Sequence, residues 1–440
     1  NEKSMWVKNS KSNSESMLSF TEAKEHIANL PLILQVETIP AWQANGRVLA
    51  ENIIAAQDLP AWSNSAMDGY AFQRNDIINA SEENPIVLPV SNIIQAGSTA
   101  QHTLKPNQCV RIFTGAPIPE NADIVIMQEN VTVTPNGIVI RKCPKQWNNI
   151  RQMGEECTAG KVLLKKGTQL DSATIGLALS ASIHHVVVWK HPKVGIISTG
   201  DELKDPRKGG SLTVGQIWAT NTINLQMAFQ TMGLDSIDCG IAQDTLDSTR
   251  ATLLHAIDEQ NVDILVSTGG VSVGDFDVVH KALADLPGHR VEMNFWKVKM
   301  KPGKPVAIGT IFTPNKTIPI FALPGNPVSA LMGFYQFVRP YLLGKMGVPN
   351  PELSTIEVTL GEDFQKRGNR LEFVRIWLDR QQDMTIAFST GHQSSAWMSS
   401  FADATALLPF PADKHLLKKG TQCTVQCLPN LGKWPATWRT

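Results

Sequence analysis

The stretch NVDILVSTGGVSVGDFDVVHKAL, residues 261–283, predicts a buried strand, a glycine-rich loop and a helix in direct succession. Its apolar run Ile-Leu-Val, residues 264–266, is typical of a parallel strand whose sheet is covered by helices on both faces. The following loop contains Gly269, Gly270 and Gly274, which allow backbone conformations that other residues avoid. Main-chain N–H groups can then surround an anion closely. The stretch therefore predicts a cradle for a phosphate or oxyanion, with a plain Gly-Gly turn as the alternative.

Strands and helices alternate on either side of this stretch, which predicts an α/β region with a doubly wound, mostly parallel sheet. Three apolar strands there end in polar loops, at residues 198–203, 267–277 and 323–329. Because ligands bind outside the carboxyl ends of strands in open parallel sheets, we expect these loops to line one crevice. In the last loop, Asn326 predicts a helix N-cap and Pro327 the first helical position, with free amides facing the crevice.

The segment FWKVKMKPGKP, residues 295–305, concentrates positive charge in a chain without net charge. If it runs extended as far as Lys301, the side chains of Lys297, Lys299 and Lys301 share one face by the period of two. Lys304 follows after a Pro-Gly turn. The pattern favours an anion site, although lysines also protect exposed sheet edges from aggregation.

Acidic side chains are expected on loops near these lysines, at Asp201, Glu202, Asp275 and Asp277. Asp275 also suits the N-cap of the helix that follows it. Carboxylates supply the oxygen ligands that Mg²⁺ needs, and lysines supply the positive charge that a phosphate needs. Together they predict a magnesium-bridged phosphate site.

Length and composition predict a multidomain protein, because 440 residues with 42% hydrophobic content can form more than one core. Lys plus Arg equals Asp plus Glu at 40 each, so no global charge indicates a nucleic-acid partner or a membrane surface. No run is apolar enough to span a bilayer, and residues 1–16 lack the apolar core of a signal peptide. The six cysteines form no CxxC pair, which favours reduced thiols. A cytoplasmic protein is expected.

Changes of pattern along the chain predict its division into domains. The expected parts are a flexible tail at 1–17, an extended α+β domain at 18–62 and 148–190, an inserted small β domain at 63–147, the α/β domain at 191–346 and a C-terminal β domain at 347–440. A capping box from Ser19 to Glu22 predicts the first helix, and Asp247 is expected to cap a later one. The pair Asn136-Gly137 predicts a hairpin turn.

Two polar loops of the inserted domain could face a ligand or form ordinary hydrogen-bonded turns. SNSAMDGYAF, residues 63–72, includes Asp68, and RIFTGAPIP, residues 111–119, includes Thr114. In the C-terminal region, the spacing of Arg370, Glu372 and Arg375 offers further basic groups, and a surface charge pattern explains it equally well.

Six motifs, SNSAMDGYAF, TGAPIP, STGDEL, GGVSVGDFD, KPGKP and LPGNPVSA, give the chain over residues 18–440 a resemblance to the molybdopterin molybdenumtransferases, the MoeA and gephyrin E-domain family. The resemblance implies an L-shaped homodimer of four-domain subunits with a molybdopterin-binding α/β domain and a C-terminal β-barrel-like domain. It implies an active cleft between the α/β domain of one subunit and the inserted domain of its partner. The implied reaction inserts molybdate, a substrate, into adenylylated molybdopterin and releases AMP, with Mg²⁺ as cofactor.

The resemblance also assigns roles to individual residues. The implied catalytic residues are Asp68, Thr114, Glu202, Asp244, Asp277, Lys297 and Lys301. The implied substrate-binding residues are Gly269, Gly270, Ser272, Gly274, Asp275, Lys304, Pro324, Gly325, Asn326 and Pro327. Glu202 and Asp277 are implied to hold Mg²⁺, and the lysines to supply charge to molybdate or phosphate. The chain departs from the family at Glu156, where an aspartate is common, and residues 391–400 follow the family pattern only loosely.

Two other functions fit parts of the pattern. A related α/β domain occurs in the competence-damage-inducible family, which hydrolyses nucleotide-derived substrates, but that match leaves the SNSAMDGYAF and TGAPIP motifs unexplained. A gephyrin-like scaffold without enzymatic activity would need neither the acidic residues nor the lysines. The expected partners are adenylylated molybdopterin, molybdate and a second copy of the chain, with the adenylylating enzyme and molybdoenzyme maturation proteins as further candidates.

Overall fold

The structure, a computed structural model, describes residues 17–99, 102–270, 278–381 and 383–429. Contacts divide the chain into two compact units. The main unit contains the described residues of Asn1–Glu37, Gly46–Ala50 and Trp189–Thr440, and the small unit those of Thr38–Asn45 and Glu51–Val188. The domain limits expected from the sequence stay predictions.

One predicted helix start is confirmed and another is corrected. Ser19 and Glu22 form a full capping box. The helix expected to start at Asp247 is instead capped by Thr245, whose hydroxyl accepts a hydrogen bond from the Ser248 N–H. The α-helices are α1 (Phe20–Ala28), α2 (Arg74–Ile77), α3 (Ser172–Ser180), α4 (Thr220–Gln230), α5 (Leu246–Leu254), α6 (Val278–Ala284), α7 (Pro327–Gly333), α8 (Arg339–Lys345) and α9 (Met398–Ala402).

The strands before residue 190 are short. They are β1 (Val36–Pro40), β2 (Ile53–Ile54), β3 (Asn64–Ser65), β4 (Gly69–Phe72), β5 (Ile86–Leu88), β6 (Val90–Ile94), β7 (Cys109–Ile112), β8 (Ile124–Met127), β9 (Thr132–Thr134), β10 (Gly137–Ile140), β11 (Ile150–Arg151), β12 (Val162–Leu164) and β13 (His185–Trp189). The small unit contains a sheet of order β6-β7-β4-β8 and another of order β5-β10-β9. The predicted hairpin joins β9 to β10. A Cβ at Gly137, where φ is +133°, would lie 2.3 Å from the Leu88 carbonyl oxygen, so this position favours glycine.

Most strands of the remaining chain belong to a mixed sheet or to a barrel, and four short strands form two further two-stranded sheets. In chain order, the strands are β14 (Val194–Thr199), β15 (Leu203–Lys204), β16 (Ile217–Trp218), β17 (Ser236–Ala242), β18 (Ile264–Thr268), β19 (Arg290–Lys297), β20 (Met300–Lys301), β21 (Pro305–Phe312), β22 (Thr317–Leu323), β23 (Thr355–Leu360), β24 (Phe364–Gln365), β25 (Leu371–Gln381), β26 (Met384–Ser389), β27 (Ala406–Phe410), β28 (Leu416–Leu417) and β29 (Gln422–Cys427).

The mixed sheet has the order β17-β14-β18-β22-β21-β19. Its first four strands are parallel, and β21 and β19 add antiparallel pairings at one edge. Alternate residues of β18 enter different cores, Ile264 and Val266 one cluster and Leu265 the other. Because successive side chains of a strand point to opposite faces, this sheet is covered on both sides. The predicted mostly parallel sheet is confirmed.

The C-terminal barrel closes through the order β25-β26-β23-β29-β27, since β27 also pairs with β25. Its interior holds a separate apolar cluster that includes Val374, Ile376 and Phe410. The predicted barrel-like fold is confirmed. A surface charge pattern on β25 is wrong, however, because Glu372 is 6% exposed and Arg375 only 1%.

Candidate functional site

The predicted loops after β14, β18 and β22 line one cavity at the carboxyl ends of these parallel strands, joined by the loop after β17. The cavity has a volume of about 710 Å³. Among its described lining residues, Glu202 and Asp244 are acidic and none is basic, so we call it the acidic cavity. Its lining also contains the expected substrate-binding residues Gly269, Gly270, Pro324, Gly325, Asn326 and Pro327.

Gly269 and Gly270 leave no room for a larger residue. Their φ angles are +89° and +63°. A Cβ at Gly269 would lie 2.5 Å from the Thr199 carbonyl oxygen, and one at Gly270 would lie 2.5 Å from Val279 Cγ2. The Gly269 N–H donates to the Leu323 carbonyl at 3.1 Å, so this amide joins two strand ends instead of facing a ligand. The positive φ angles keep the backbone turn tight where β18 meets the cavity.

The acidic residues of the cavity come from two loops that are linked to each other. Asp201 Oδ1 accepts a hydrogen bond from the Asp244 N–H at 3.1 Å. Glu202 folds back over Gly200, where an added Cβ would lie 2.6 Å from Glu202 Oε2. Glu202 and Asp244 are exposed, so a ligand can reach both carboxylates. Carboxylate oxygens are the donors that Mg²⁺ prefers, and the chemistry of this set therefore fits the expected ion.

Part of the expected site lies outside the described residues. Ser272, Gly274, Asp275 and Asp277 belong to residues 271–277. Within the described part of the chain, no group of three or more His, Cys, Asp or Glu side chains could hold a metal ion. The assignment of Mg²⁺ to Glu202 with Asp277 stays a prediction.

A second cavity, of about 590 Å³, adjoins the first. The two share the lining residues Pro305, Pro324 and Asn326. The side chains that carry or can carry positive charge in the second cavity are Lys301, Lys304, Arg370 and His392. No acidic residue is among its described lining residues, and we call it the basic cavity.

The lysine segment has the alternation that an extended chain requires. Val298 and Met300 are fully buried, whereas Lys299 between them is exposed. Lys297 and Lys299 line neither the acidic nor the basic cavity. Of the three lysines predicted to share one face, Lys301 lines the basic cavity and the other two do not.

Lys301 is held in place by a buried carboxylate. Its Nζ lies 2.8 Å from Glu372 Oε1, and the Glu372 side chain is buried. The ladder between β20 and β25 sets Lys301 directly opposite Glu372. Because a buried carboxylate is costly without a partner, this ion pair fixes the lysine at the wall of the cavity.

Asn326 and Pro327 take the predicted cap and first positions of α7. The Asn326 side chain makes no capping hydrogen bond to the helix, and its Nδ2 donates to Ser395 Oγ at 3.0 Å. The Val328 N–H donates to the Ser395 carbonyl at 3.2 Å. The expectation of free amides at this helix start is wrong for Val328, since a loop after the barrel strand β26 covers it.

Sequence reasoning missed the contribution of residues 391–400 to both cavities. His392 and Ser395 line the basic cavity, and Met398 lines the acidic cavity. The His392 and Trp397 rings pack with their centroids 4.2 Å apart. The glycine and serine residues of GHQSSAWMSS were the available signal, because such residues are typical of turns and loops, and loops often carry binding residues.

In the small unit, Asp68 and Thr114 lie together. Asp68 Oδ1 accepts hydrogen bonds from the Thr114 N–H at 2.8 Å and from the Thr114 hydroxyl at 2.7 Å. These bonds lower the pKa of the Asp68 carboxyl. Arg111 stacks over Tyr70 beside this pair, 4.9 Å from the ring centroid. Glu156 has an exposed side chain, and nothing in the structure assigns it a role.

Three family models match successive parts of the chain. They are the MoeA N-terminal region (domain I and II) at residues 18–182, the probable molybdopterin binding domain at 195–344 and the MoeA C-terminal region (domain IV) at 357–428. Both cavities are lined by residues from the second and third matched regions.

Similar proteins cover nearly the whole chain. Molybdopterin molybdenumtransferase 2 of Mycobacterium tuberculosis is 34% identical over 412 residues, which cover 93% of this chain and 99% of the relative. Molybdopterin molybdenumtransferase of Haemophilus influenzae is 33% identical over 417 residues, with coverage of 93% and 98%. The crystal structure of the molybdopterin biosynthesis MoeA protein from Pyrococcus horikoshii OT3 matches with a TM-score of 0.78 at 28% identity, over 94% of this chain and all of that one. Among the helices of the described residues, none combines the length and the apolar character needed to cross a membrane.

Proposed function

Because the chain belongs to the MoeA family, we propose that it inserts molybdate into adenylylated molybdopterin and releases AMP. Its role is in molybdenum cofactor biosynthesis, and it is an enzyme of the transferase class. The proposal of molybdate insertion rests on one observation: an acidic and a basic cavity adjoin each other in the main unit.

The charge distribution fits the chemistry of this reaction. Molybdate is an oxyanion, and Lys301, Lys304 and Arg370 surround the basic cavity with positive charge. Charge-assisted hydrogen bonds from such groups are about twice as strong as neutral ones. The phosphoanhydride of adenylylated molybdopterin must come close to the molybdate, and the adjoining acidic cavity with its glycine turn at β18 has the volume for an organic ligand.

The acidic cavity suits the phosphoanhydride only if its own negative charge is offset. Glu202 would hold Mg²⁺ together with the predicted ligand Asp277. Asp244 lines the same cavity as Glu202 and would help to hold the ion. When bound, the ion would supply positive charge against the phosphoanhydride oxygens. Asp201 fixes the position of the Asp244 loop by accepting a hydrogen bond from the Asp244 N–H. The shared wall at Asn326 orients the substrate across both cavities.

The decisive experiment incubates purified protein with adenylylated molybdopterin, Mg²⁺ and molybdate and measures AMP. We expect AMP release that requires both molybdate and Mg²⁺. Release of AMP at the same rate without molybdate would indicate a hydrolase of the competence-damage-inducible type. No AMP release under any of these conditions would favour a scaffold without enzymatic activity.

We also propose that the protein works as a homodimer in the cytoplasm. The proposal rests on the family's cleft, which combines the α/β domain of one subunit with the inserted domain of its partner. Light scattering should give the mass of a dimer at micromolar concentration, and a monomer throughout that range would contradict the proposal.

A further inference from the structure

Arg375 lies on the barrel strand β25 and points away from the barrel interior, which its neighbours Val374 and Ile376 face, yet it is buried, which is rare for a charged side chain. It is 1% exposed and is among the largest fully buried side chains of the described residues. Burial lowers the pKa of its guanidinium to about 10. An arginine is retained in such a place only where its donors are satisfied by well-placed acceptors.

The acceptors that meet this guanidinium belong to one loop. Nε donates to Ser400 Oγ at 3.1 Å, and Nη2 donates to the Ser394 carbonyl at 3.0 Å. Both partners lie within residues 391–400, which we call the serine loop. The planar guanidinium therefore binds two residues of the loop, Ser394 and Ser400, that are six positions apart.

The backbone of Arg375 binds the same region. Its N–H donates to Gln393 Oε1 at 2.8 Å, and its carbonyl accepts from Gln393 Nε2 at 3.0 Å. The carbonyl also accepts from the Thr390 N–H at 3.2 Å. Main chain and side chain of one barrel residue thus hold Gln393 and Ser394 in the first half of the serine loop and Ser400 at its end.

The anchored loop forms part of both cavities. Residues 392–395 line the basic cavity, whereas Ala396 and Met398 line the acidic cavity. Ser395 also binds Asn326 and the Val328 N–H at the shared wall. A displacement of the loop would move the wall that separates the two cavities.

We propose that Arg375 is a positioning residue, which holds the serine loop so that the basic cavity keeps the shape needed to bind an oxyanion. The inference rests on the proposed function and deepens it, because it makes the barrel part of the oxyanion site. Arg375 lines neither cavity and acts through its bonded partners Ser394 and Ser400, with Ser394 next in sequence to the wall residue Ser395.

The test compares Arg375→Lys with Arg380→Lys, a matched change at an exposed position of the same strand. Lysine keeps the positive charge but loses the planar fork that reaches two acceptors. In the folded Arg375→Lys variant we expect faster hydrogen exchange in residues 391–400 and a rise of about tenfold in the Kd for inorganic molybdate. The KM for molybdate should rise more than kcat falls, and Arg380→Lys should match the wild type.

The inference is overturned if folded Arg375→Lys has wild-type exchange in the serine loop or a wild-type Kd for molybdate. If that variant does not fold, Ser400→Ala replaces it, because it removes the acceptor of Nε and leaves the arginine in place. The same two outcomes then support or overturn the inference. Exchange and molybdate binding need no AMP release, so failure of the proposed reaction is seen separately, in wild-type turnover.

Discussion

The acidic and the basic cavity meet at Pro305, Pro324 and Asn326, but different parts of the fold supply their charges. The acidic side chains stand on loops at the carboxyl ends of the parallel strands. The basic side chains come from the lysine segment that leaves β19 and from the edge of the barrel, including Arg370. Two neighbouring sites of opposite charge thus arise where two structural regions of the main unit adjoin.

In the proposed reaction, this difference would let one enzyme bind two anions with unlike needs. Fixed positive side chains suit a small oxyanion, because they contribute charge without a further component. In the proposed reaction, carboxylates suit a phosphoanhydride only through a bound cation, and the acidic cavity would then depend on Mg²⁺. Each cavity should therefore respond differently to the removal of one charge.

The largest effect is expected for Glu202→Gln. The change preserves shape but removes the charge available to Mg²⁺, so AMP release should fall by roughly a hundredfold, as for the loss of a group that stabilises charge in the transition state. The Kd for inorganic molybdate should stay unchanged, because Glu202 does not line the basic cavity. Asp247→Asn, an exposed change in the first turn of α5, is the matched control. Full turnover at limiting Mg²⁺ would place Glu202 outside the reaction.

Lys301→Ala should weaken anion binding in the basic cavity. Loss of a hydrogen bond to a charged group costs about 1.5–3 kcal/mol, or roughly ten- to a hundredfold in affinity for molybdate or adenylylated molybdopterin. Lys299→Ala is the control, since Lys299 is an exposed lysine of the same segment that lines neither cavity. Titration at low salt measures both, and equal dissociation constants would make Lys301 an edge-protecting lysine.

The buried partner of Lys301 allows a second check of that result. Lys301→Ala leaves Glu372 buried without its ion pair, so part of the effect could come from lost stability. Lys301→Ala combined with Glu372→Gln should recover thermal stability. Weak molybdate binding that persists in this double variant assigns the loss to the lysine charge, and recovery of binding would assign it to the fold.

A smaller effect is expected at the glycine turn that supports the acidic cavity. Gly270→Ala combines a φ of +63° with a Cβ 2.5 Å from Val279 Cγ2, so it should lower stability by about 1–3 kcal/mol. At Gly325, in the same cavity, an added Cβ would meet its nearest atom, Gly269 Cα, at an ordinary 3.5 Å. Thermal unfolding should therefore separate Gly270→Ala from Gly325→Ala, and equal melting temperatures would contradict the steric argument.

The smallest effect is expected at Asp68 in the small unit, whose carboxylate already accepts two hydrogen bonds from Thr114. Its depressed pKa means that the Thr114 contact stabilises the folded chain at neutral pH and is lost as the pH falls below the ordinary Asp value of 3.8. Thr114→Val removes the hydroxyl donor but keeps the N–H, so the pKa of Asp68 should rise toward 3.8. An NMR titration of labelled aspartate measures it. Thr103→Val, which removes a hydroxyl bonded to Glu120, should leave Asp68 unchanged.

The sequence by itself determined the local elements and the family. The apolar run at residues 264–266 predicts β18, the Ser19 capping box predicts α1, and Asn136-Gly137 predicts the β9–β10 turn. These signals are local, because strand burial, helix capping and turn geometry depend on residues a few positions apart. The ends of three parallel strands could be assigned to one crevice for a different reason, since the topology of a parallel sheet brings its strand ends to one edge.

Only the tertiary structure decided which distant groups meet. Ser395 reaches Asn326 across 69 positions, and Lys301 pairs with Glu372 through the ladder between β20 and β25. The sequence left open whether Arg375 is a further basic group or part of a surface charge pattern, because periodicity shows which face of a strand is polar, not what packs against it. The burial of Arg375 depends on the serine loop folding back over β25 and supplying acceptors. Such contacts arise from the packing of whole elements, and no short pattern in the chain encodes them.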